Sequence, residues 1–435
     1  MKQRIAIIGT GIAGMGAAYH LKDHFSITLF EQNNYVGGHT NTLTLAEDDK
    51  IVRFDTGFTV FNKVTYPNLC RLFDEIKAPV IESNVSFSVQ HCESGLEYCS
   101  TGFNGLFAQR KNIFNVEYIK MLMQIDRFNK ESIEDLENKQ FAGYTLRQYV
   151  KEKGYGHEML YKYLIPMSSA VWSTSANRML DFPAVTLIRF FKNHGFLGLN
   201  TQHQWYTLQN GSHSYRDLLI KSFKENIVIN KRVVGIKRQK IYERPEVVLF
   251  FEDGSVQKFD KVVFACHSDQ ALRILEDEAT NLEYSLLRNF RYEKNIATVH
   301  TDEAVMPTNK KVWSSWNCRV ESLGKTSTIY WMNKLQDVSS DVNYFVSLND
   351  PGLINEKKII NLIEYEHPLF DLKAIAAQEQ LYKLNQLSEI DGEEKTTFYC
   401  GSYFKYGFHE DAYTAGLNCA NAIKVCANTA KIAKL

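Results

Sequence analysis

The chain has 435 residues, eight cysteines and 50 acidic against 50 basic side chains. The length exceeds one ordinary hydrophobic core, so we expect two intertwined domains. The zero formal charge gives no reason to expect a nucleic acid as a partner, and no window has the roughly 18 apolar residues of a membrane-spanning helix. Scattered cysteines and a first strand that begins at Arg4, with no room for a signal peptide, favour a cytoplasmic protein with reduced thiols.

The first predicted element is an apolar strand from Arg4 that leads into a glycine-rich turn. Its three glycines are Gly9, Gly11 and Gly14. In a dinucleotide-binding βαβ unit they permit, in order, a tight turn, a close approach of the backbone to a pyrophosphate, and close packing of helix on strand. Ile12 and Ala13 begin the helix whose N-terminus faces the phosphates. Glu31 ends a second apolar strand, where a carboxylate accepts ribose hydroxyls and repels a 2′-phosphate. The unit predicts an adenine-containing cofactor other than NADP.

Two segments after Glu31 indicate which cofactor this is. They are Gly37-Gly38-His39-Thr40 and Phe54-Asp55-Thr56-Gly57-Phe58. With them the chain resembles the flavin-containing amine oxidase family, which includes phytoene-desaturase-like enzymes. The resemblance implies FAD, contacted here by Gly37, Gly38, His39, Thr40, Gly57, Phe58 and Thr59. His39 departs from the pattern, since the family usually has arginine there, and an imidazole cannot make the bidentate contact of a guanidinium.

The middle of the chain predicts a β-hairpin that returns to the parallel sheet. Residues 226–236 and 246–256 alternate in polarity, Asp253-Gly254 is a turn signal, and residues 260–265 form a continuous apolar run. The resemblance implies that the backbone of Val233 holds adenine and that Ala265 also contacts FAD. The cofactor domain is then discontinuous, comprising residues 1–70, 205–265 and 395–435.

Near the C-terminus, a buried strand over 398–401 precedes an apolar helix over 417–425. The resemblance implies that Ala415 and Gly416 open this helix, with its N-terminus at the flavin pyrimidine ring, where the helix dipole stabilises the charge of reduction. The implied FAD contacts here are Gly401, Gly407, Phe408, His409 and Ala415. The predicted catalytic residues are Phe408, His409 and Tyr403. His409 either faces the ring or is a structural, hydrogen-bonded residue beside an exposed Glu410. No cysteine matches the family's covalent attachment site, so the FAD is expected to be non-covalent, and we expect no metal.

The remaining segments, 71–204 and 266–394, are expected to form the substrate domain. Residues 71–204 have a mainly helical pattern, and residues 284–350 alternate like a β-sheet. The predicted fold class is therefore α/β, a discontinuous Rossmann-like FAD-binding domain with an inserted α+β substrate domain. Residues 106–128 predict an amphipathic helix with basic neighbours. Such a helix either contacts a membrane surface at the inner face and admits a lipid, or packs on its own domain.

Several functions fit this pattern. The chain has 27 Phe, 23 Tyr and 5 Trp, which hints at a hydrophobic small-molecule or lipid substrate. Segments such as 330–336 and 406–411 resemble a bacterial branch of the family that is linked with modification of unsaturated fatty acyl chains. The hypotheses are an FAD-dependent acyl-chain dehydrogenase or desaturase, a flavin-dependent double-bond isomerase, a peroxide-releasing amine oxidase, and a non-enzymatic lipid-binding flavoprotein. No lysine aligns with the family's amine-oxidising lysine, and the oligomeric state stays open.

Overall fold

A computed structural model describes residues 2–198, 201–242, 244–321, 325–386 and 395–432. Its strands are β1 Arg4–Ile8, β2 Ser26–Phe30, β3 Thr42–Glu47, β4 Lys50–Asp55, β5 Phe61–Asn62, β6 Val80–Ser83, β7 Phe87–His91, β8 Leu96–Cys99, β9 Trp205–Leu208, β10 Ile227–Val228, β11 Val233–Ile241, β12 Arg244–Phe251, β13 Val256–Phe259, β14 Lys261–Phe264, β15 Arg291–His300, β16 Trp316–Val320, β17 Thr326–Trp331, β18 Phe345–Leu348, β19 Ile359–Leu369 and β20 Thr397–Tyr399. Its α-helices are α1 Ile12–Leu21, α2 Pro67–Ile76, α3 Gly102–Leu106, α4 Val116–Asn138, α5 Leu146–Glu152, α6 His157–Met159, α7 Ile165–Trp172, α8 Ala176–Met179, α9 Ala184–Asn193, α10 His213–Ile220, α11 Ser268–Leu275, α12 Asn281–Leu287, α13 Met332–Gln336, α14 Leu372–Gln378 and α15 His409–Ile432.

A five-stranded parallel sheet forms the centre of the predicted cofactor domain. The strand order is β10-β2-β1-β14-β20, and every pair is parallel. Strand β14 is buried along its whole length, and β1 is buried from Ile5 onward, as expected for parallel strands covered on both faces. Helix α1 connects β1 to β2, which confirms the predicted βαβ unit. The sheet joins strands from the start, middle and end of the chain.

The predicted hairpin is present as part of a three-stranded antiparallel meander, β11-β12-β13. Two details differ from the sequence prediction. The segment predicted over 226–236 forms two separate strands, because Ile227–Val228 pairs with β2 at the edge of the parallel sheet. The Asp253-Gly254 turn lies between β12 and β13, and Gly254 has a φ of +79° there. The run that ends at Ala265 returns to the parallel sheet as β14, as predicted.

Helix α15 begins at His409, so the prediction that Ala415 and Gly416 open it was wrong. Asp411 sets the start, since its carboxylate accepts hydrogen bonds from the backbone N–H groups of Tyr406 and Phe408. A side chain three residues into a helix that bonds back to the capping N–H is half of a capping box. The small residues serve close packing instead, because a Cβ on Gly416 would lie 2.2 Å from the carbonyl oxygen of Ala13 in α1.

A seven-stranded sheet forms the base of the predicted substrate domain. Its order is β19-β15-β18-β17-β16-β7-β8, antiparallel throughout except for the parallel pair β16–β7. The mainly helical prediction for 71–204 holds from α3 to α9 but was wrong for 80–99. Strands β6 and β7 form there because distant segments, β9 and β16, supply their hydrogen-bond partners, and β8 pairs with β7.

Residues 106–128 do not form one continuous helix. Helix α3 ends at Leu106, a 3-10 turn spans Arg110–Phe114, and α4 starts at Val116. Asn115 interrupts the helix because its side chain accepts hydrogen bonds from the N–H groups of Glu117 and Tyr118, as a helix N-cap does. None of the helices in the described ranges is long and apolar enough to cross a membrane.

Candidate cofactor and substrate site

The glycine-rich turn has the shape of a phosphate cradle. A Cβ on Gly9 would lie 2.7 Å from the carbonyl oxygen of Ala265, and a Cβ on Gly14 would lie 2.1 Å from that of Gly9. Both positions therefore accept only glycine. At Gly11, by contrast, a Cβ would have no atom within 4 Å. The middle glycine is thus the one with room beside its backbone, as a bound diphosphate requires. Ile12 and Ala13 form the first turn of α1 beside it.

Glu31 lies where the ribose of a dinucleotide would bind. It directly follows β2 and is buried. Its carboxylate accepts hydrogen bonds from the backbone and hydroxyl groups of Thr10, at 3.1 and 2.6 Å, and from the N–H of Asn33. The backbone carbonyl of Glu31 accepts from Lys231, two residues before Val233. The predicted adenine-contacting residue therefore lies at the same sheet edge as the predicted ribose-binding carboxylate.

The two segments that carry the family resemblance meet over the glycine-rich turn. A Cβ on Gly38 would lie 3.4 Å from the Cα of Gly11. The N–H of Phe58 donates to the carbonyl of His39, and a Cβ on Gly57 would lie 2.4 Å from that same oxygen. Gly37, with a φ of +127°, turns the chain so that Thr40 can donate its N–H back to the carbonyl of Gly37. The carbonyl of Thr59 accepts from the Thr207 hydroxyl.

His409 joins the two ends of the chain through a hydrogen-bonded group. Its Nε2 is 2.6 Å from the hydroxyl of Tyr215, which is 2.6 Å from Oγ1 of Thr40. The imidazole also stacks on the ring of Phe58, with centroids 3.8 Å apart and planes 8° from parallel. Burial lowers the pKa of His409 to about 3, so the ring is neutral near pH 7. The sequence left open whether His409 is structural, and in the structure its side chain is hydrogen-bonded and stacked on Phe58.

Glu410 is buried, so the exposed alternative considered for it was wrong. Its carboxylate accepts from the backbone N–H groups of Asn68 and Leu69 and from the Asn68 side chain. These N–H groups lie in the first turn of α2, where the helix itself supplies no acceptor. Glu410 therefore caps α2 from the start of α15. The sequence contains no local signal for this contact.

Two rings face His39, the residue that departs from the family pattern. His39 stacks on Tyr365, with centroids 4.7 Å apart, and its centroid is 5.0 Å from that of His367. Nδ1 of His367 lies 2.9 Å from the side-chain amide of Asn295. Among the described residues, the buried Nε2 of His39 has no hydrogen-bond partner. Burial lowers the pKa of His39 well below its usual value, so a neutral imidazole replaces the family's cation.

An aromatic wall lies on the other side of the loop that precedes α15. Phe408 stacks on Phe190 of α9, with centroids 4.9 Å apart, and its centroid is 6.0 Å from that of Trp172 at the end of α7. The indole N–H of Trp172 donates to the carbonyl of Tyr406. Gly407, with a φ of +95°, makes the turn between these contacts. The loop thus joins the predicted substrate helices to the position of His409.

The other C-terminal candidates are further inside the protein. Tyr403 is 1% exposed and packs against Phe290, and its hydroxyl has no partner among the described residues. A Cβ on Gly401 would lie 2.5 Å from the Tyr403 ring. Ala415 is buried in α15. Catalytic roles for Tyr403, Phe408 and His409 remain predictions.

Sequence reasoning missed Tyr215 and Tyr365. Both are buried and contact predicted cofactor residues, Tyr215 through Thr40 and His409 and Tyr365 through His39. The segment of Tyr215 carried no motif, whereas the segment that begins at Tyr365 is part of the resemblance to the bacterial branch but gave Tyr365 no role in the site. Periodic burial on α10 could have identified Tyr215 as inward-facing, though not its partners.

Comparisons with known proteins agree with this geometry. A family model described as flavin containing amine oxidoreductase matches residues 12–333, more than half of the chain. The chain belongs to this family. FAD is therefore its cofactor. The glycine-rich turn, Glu31 and the close approach of Gly38 to Gly11 fit that molecule. The family also accounts for the Rossmann-like sheet with an inserted substrate domain.

Named relatives are distant. The chain is 25% identical over 296 residues to a 4,4′-diaponeurosporene oxygenase of Staphylococcus aureus (strain bovine RF122 / ET3-1), covering 60% of this chain and 55% of that protein. The chain thus spans about half the length of the curated relatives it matches.

Two solved structures share the fold. A putrescine oxidase bound to putrescine has a TM-score of 0.66 and 12% identity, with 98% of this chain and 99% of that chain covered. A CLA-producing fatty acid isomerase from P. acnes has a TM-score of 0.64 and 14% identity, with 96% and 98% covered. At these identities the likeness shows the fold alone.

Proposed function

We propose that the protein is an FAD-dependent oxidoreductase that removes a hydride from a hydrophobic substrate, an unsaturated or branched fatty acyl chain. The observation that carries the proposal is the contact of Phe408 with Phe190 and Trp172. These rings are continuous with the first turn of α15, where His409 lies. A binding site lined by aromatic rings suits an apolar chain, which gains free energy when its surface leaves water.

The residues of the site would hold the substrate and exclude water. FAD held by the glycine-rich turn and Glu31 would supply the hydride acceptor and the route by which the electron pair reaches dioxygen or a carrier. In a dehydrogenation, one substrate carbon gives up the hydride, its neighbour gives up a proton that is finally released to solvent, and a double bond forms between the two carbons. Tyr215 keeps the imidazole of His409 parallel to Phe58, and Asp411 holds the loop that carries Phe408. With its pKa lowered to about 3, His409 is a weak base, so we assign it to positioning.

The relatives support a hydrophobic substrate at a coarser level. One is named as a diaponeurosporene oxygenase and another as a fatty acid isomerase. Both names concern apolar, unsaturated chains.

The test is an anaerobic absorbance titration of the FAD-loaded protein. Unsaturated and branched fatty acids, their phospholipids, matched saturated acids, and aliphatic and aromatic amines would be added in turn. We expect the oxidised flavin band to bleach with the unsaturated or branched acyl compounds and not with amines. Bleaching by amines alone would show an amine oxidase. Movement of the double bond of the lipid while the flavin stays oxidised would show an isomerase, and either result would overturn the proposed dehydrogenation.

A pair of variants tests the aromatic wall itself. Phe190 and Phe191 are neighbours in α9 and are both buried, but Phe190 contacts Phe408 whereas Phe191 contacts Phe196. Phe190→Leu should weaken the lipid-induced change in the flavin spectrum, while Phe191→Leu should affect only stability. Equal effects of the two substitutions on lipid binding would place the substrate elsewhere.

A further inference from the structure

Five large apolar side chains are exposed within one short stretch of the predicted substrate domain. They are Phe103, Ile113, Phe114, Val116 and Met123, which we call the 103–123 patch. Phe114 is 88% exposed, which is extreme for a phenylalanine in a folded protein. Single exposed apolar residues are ordinary, but a group of them marks an interaction site.

Contacts on its inner side attach the 103–123 patch to the rest of the domain. On α4, Val116, Lys120 and Met123 share one face, and Tyr118 and Met121 on the other face are buried. The Tyr118 hydroxyl donates to the carbonyl of Leu106, so α4 is tied to the end of α3. The Phe103 ring packs 4.6 Å from buried Phe107, which in turn contacts Tyr118.

Basic side chains accompany the apolar ones. Within residues 103–123 the bases are Arg110, Lys111 and Lys120, and the single acid is Glu117. All three bases are exposed. The stretch therefore has an excess of positive charge in a chain whose formal charge is zero. Exposed apolar side chains flanked by lysine and arginine are the combination that binds at an anionic lipid surface.

We propose that the 103–123 patch docks the protein on an anionic phospholipid bilayer, with its five apolar side chains at the boundary of headgroups and acyl chains. Arg110, Lys111 and Lys120 lie at the level of the phosphates. Helix α4 packs against α9, whose Phe190 contacts Phe408. Helix α4 therefore connects the patch to the helix that carries Phe190, a link whose meaning for lipid delivery rests on the proposed function.

The experiment is co-sedimentation of the FAD-loaded protein with vesicles of phosphatidylcholine alone or mixed with phosphatidylglycerol, at low and high salt. Wild-type protein should sediment with the mixed vesicles and be released by salt. Phe103→Ser/Phe114→Ser should weaken binding at least about tenfold, since two aromatic side chains no longer enter the bilayer. Lys111→Glu/Lys120→Glu should lose about as much binding affinity for anionic vesicles and little affinity for neutral ones.

Tyr242→Ser/Leu362→Ser is the matched control, because both residues are exposed and apolar but lie far along the chain from the patch. It should bind vesicles like the wild type. Equal sedimentation of the wild type and Phe103→Ser/Phe114→Ser would overturn the proposal. So would vesicle-independent dimerisation that those substitutions abolish, since a second copy would then cover the patch.

Sedimentation needs no turnover, so the docking test stands even if no lipid reduces the flavin. Conversely, Phe103→Ser/Phe114→Ser should keep its FAD and its flavin response to a short, water-soluble acyl substrate. Loss of that response as well would mean that the substitutions damage the site rather than docking.

Discussion

Asp411 makes stability depend on pH in a way that one substitution should remove. The side chain is buried, and its carboxylate accepts from the N–H groups of Tyr406 at 3.1 Å and Phe408 at 3.0 Å. Burial raises the pKa of Asp411 from 3.8 to about 7, although the Phe408 N–H and Lys405 favour the ionised form. The folded protein therefore binds this proton more tightly than the unfolded chain does. Stability is highest below the unfolded pKa and is lost as pH rises through the folded one.

The size of this stability change follows from the shift in the pKa of Asp411. Between about pH 5 and about pH 8, linkage predicts a loss of about 2.7 kcal/mol in the free energy of unfolding from this one group. A chain of 435 residues unfolds with an entropy of about 0.9 kcal/mol/K, so the loss equals about 3 °C in Tm. Asp411→Asn keeps an oxygen that can accept from the same N–H groups but does not titrate.

The assay is thermal denaturation of the wild type and Asp411→Asn across this pH range with saturating FAD. The Tm difference between the two proteins should change by about 3 °C in favour of the variant as pH rises. Asp181→Asn, which removes an exposed carboxylate, controls for the general effect of one charge. Parallel curves for the wild type and Asp411→Asn would refute a raised pKa at this site.

Three further predictions concern the cofactor site. Gly416→Ala should lower the free energy of unfolding by about 1–3 kcal/mol and reduce bound FAD, because the new methyl group would meet a backbone carbonyl of α1. Gly235→Ala is the control and should cost less, since the nearest atom to its Cβ is 3.8 Å away. Equal losses of Tm in the two variants would contradict this prediction. Glu31→Gln should raise the Kd of FAD about tenfold or more in a fluorescence titration, since hydrogen bonds to a charged acceptor are lost. Tyr215→Phe removes the partner of His409, and we expect about 1–3 kcal/mol of destabilisation and a shifted flavin spectrum. An unchanged spectrum and Tm would show that this hydrogen bond matters little.

The sequence alone determined the cofactor end of this protein. The glycines at 9, 11 and 14 and the acid at 31 belong to one βαβ unit, so their spacing along the chain is also their spacing in space. The same holds for the antiparallel meander, whose strands follow one another through short turns. Local turn chemistry and hydrophobic periodicity are properties of neighbouring residues, which is why they can be predicted without a structure.

The tertiary structure decided the rest. Glu410 is buried because it caps a helix from a distant part of the chain. Phe408 meets Phe190 only because the fold brings α9 against the loop before α15. These contacts join residues hundreds of positions apart, and their partners exist only once the chain has packed. Periodicity shows that a side chain faces inward but carries no information about which distant group it meets.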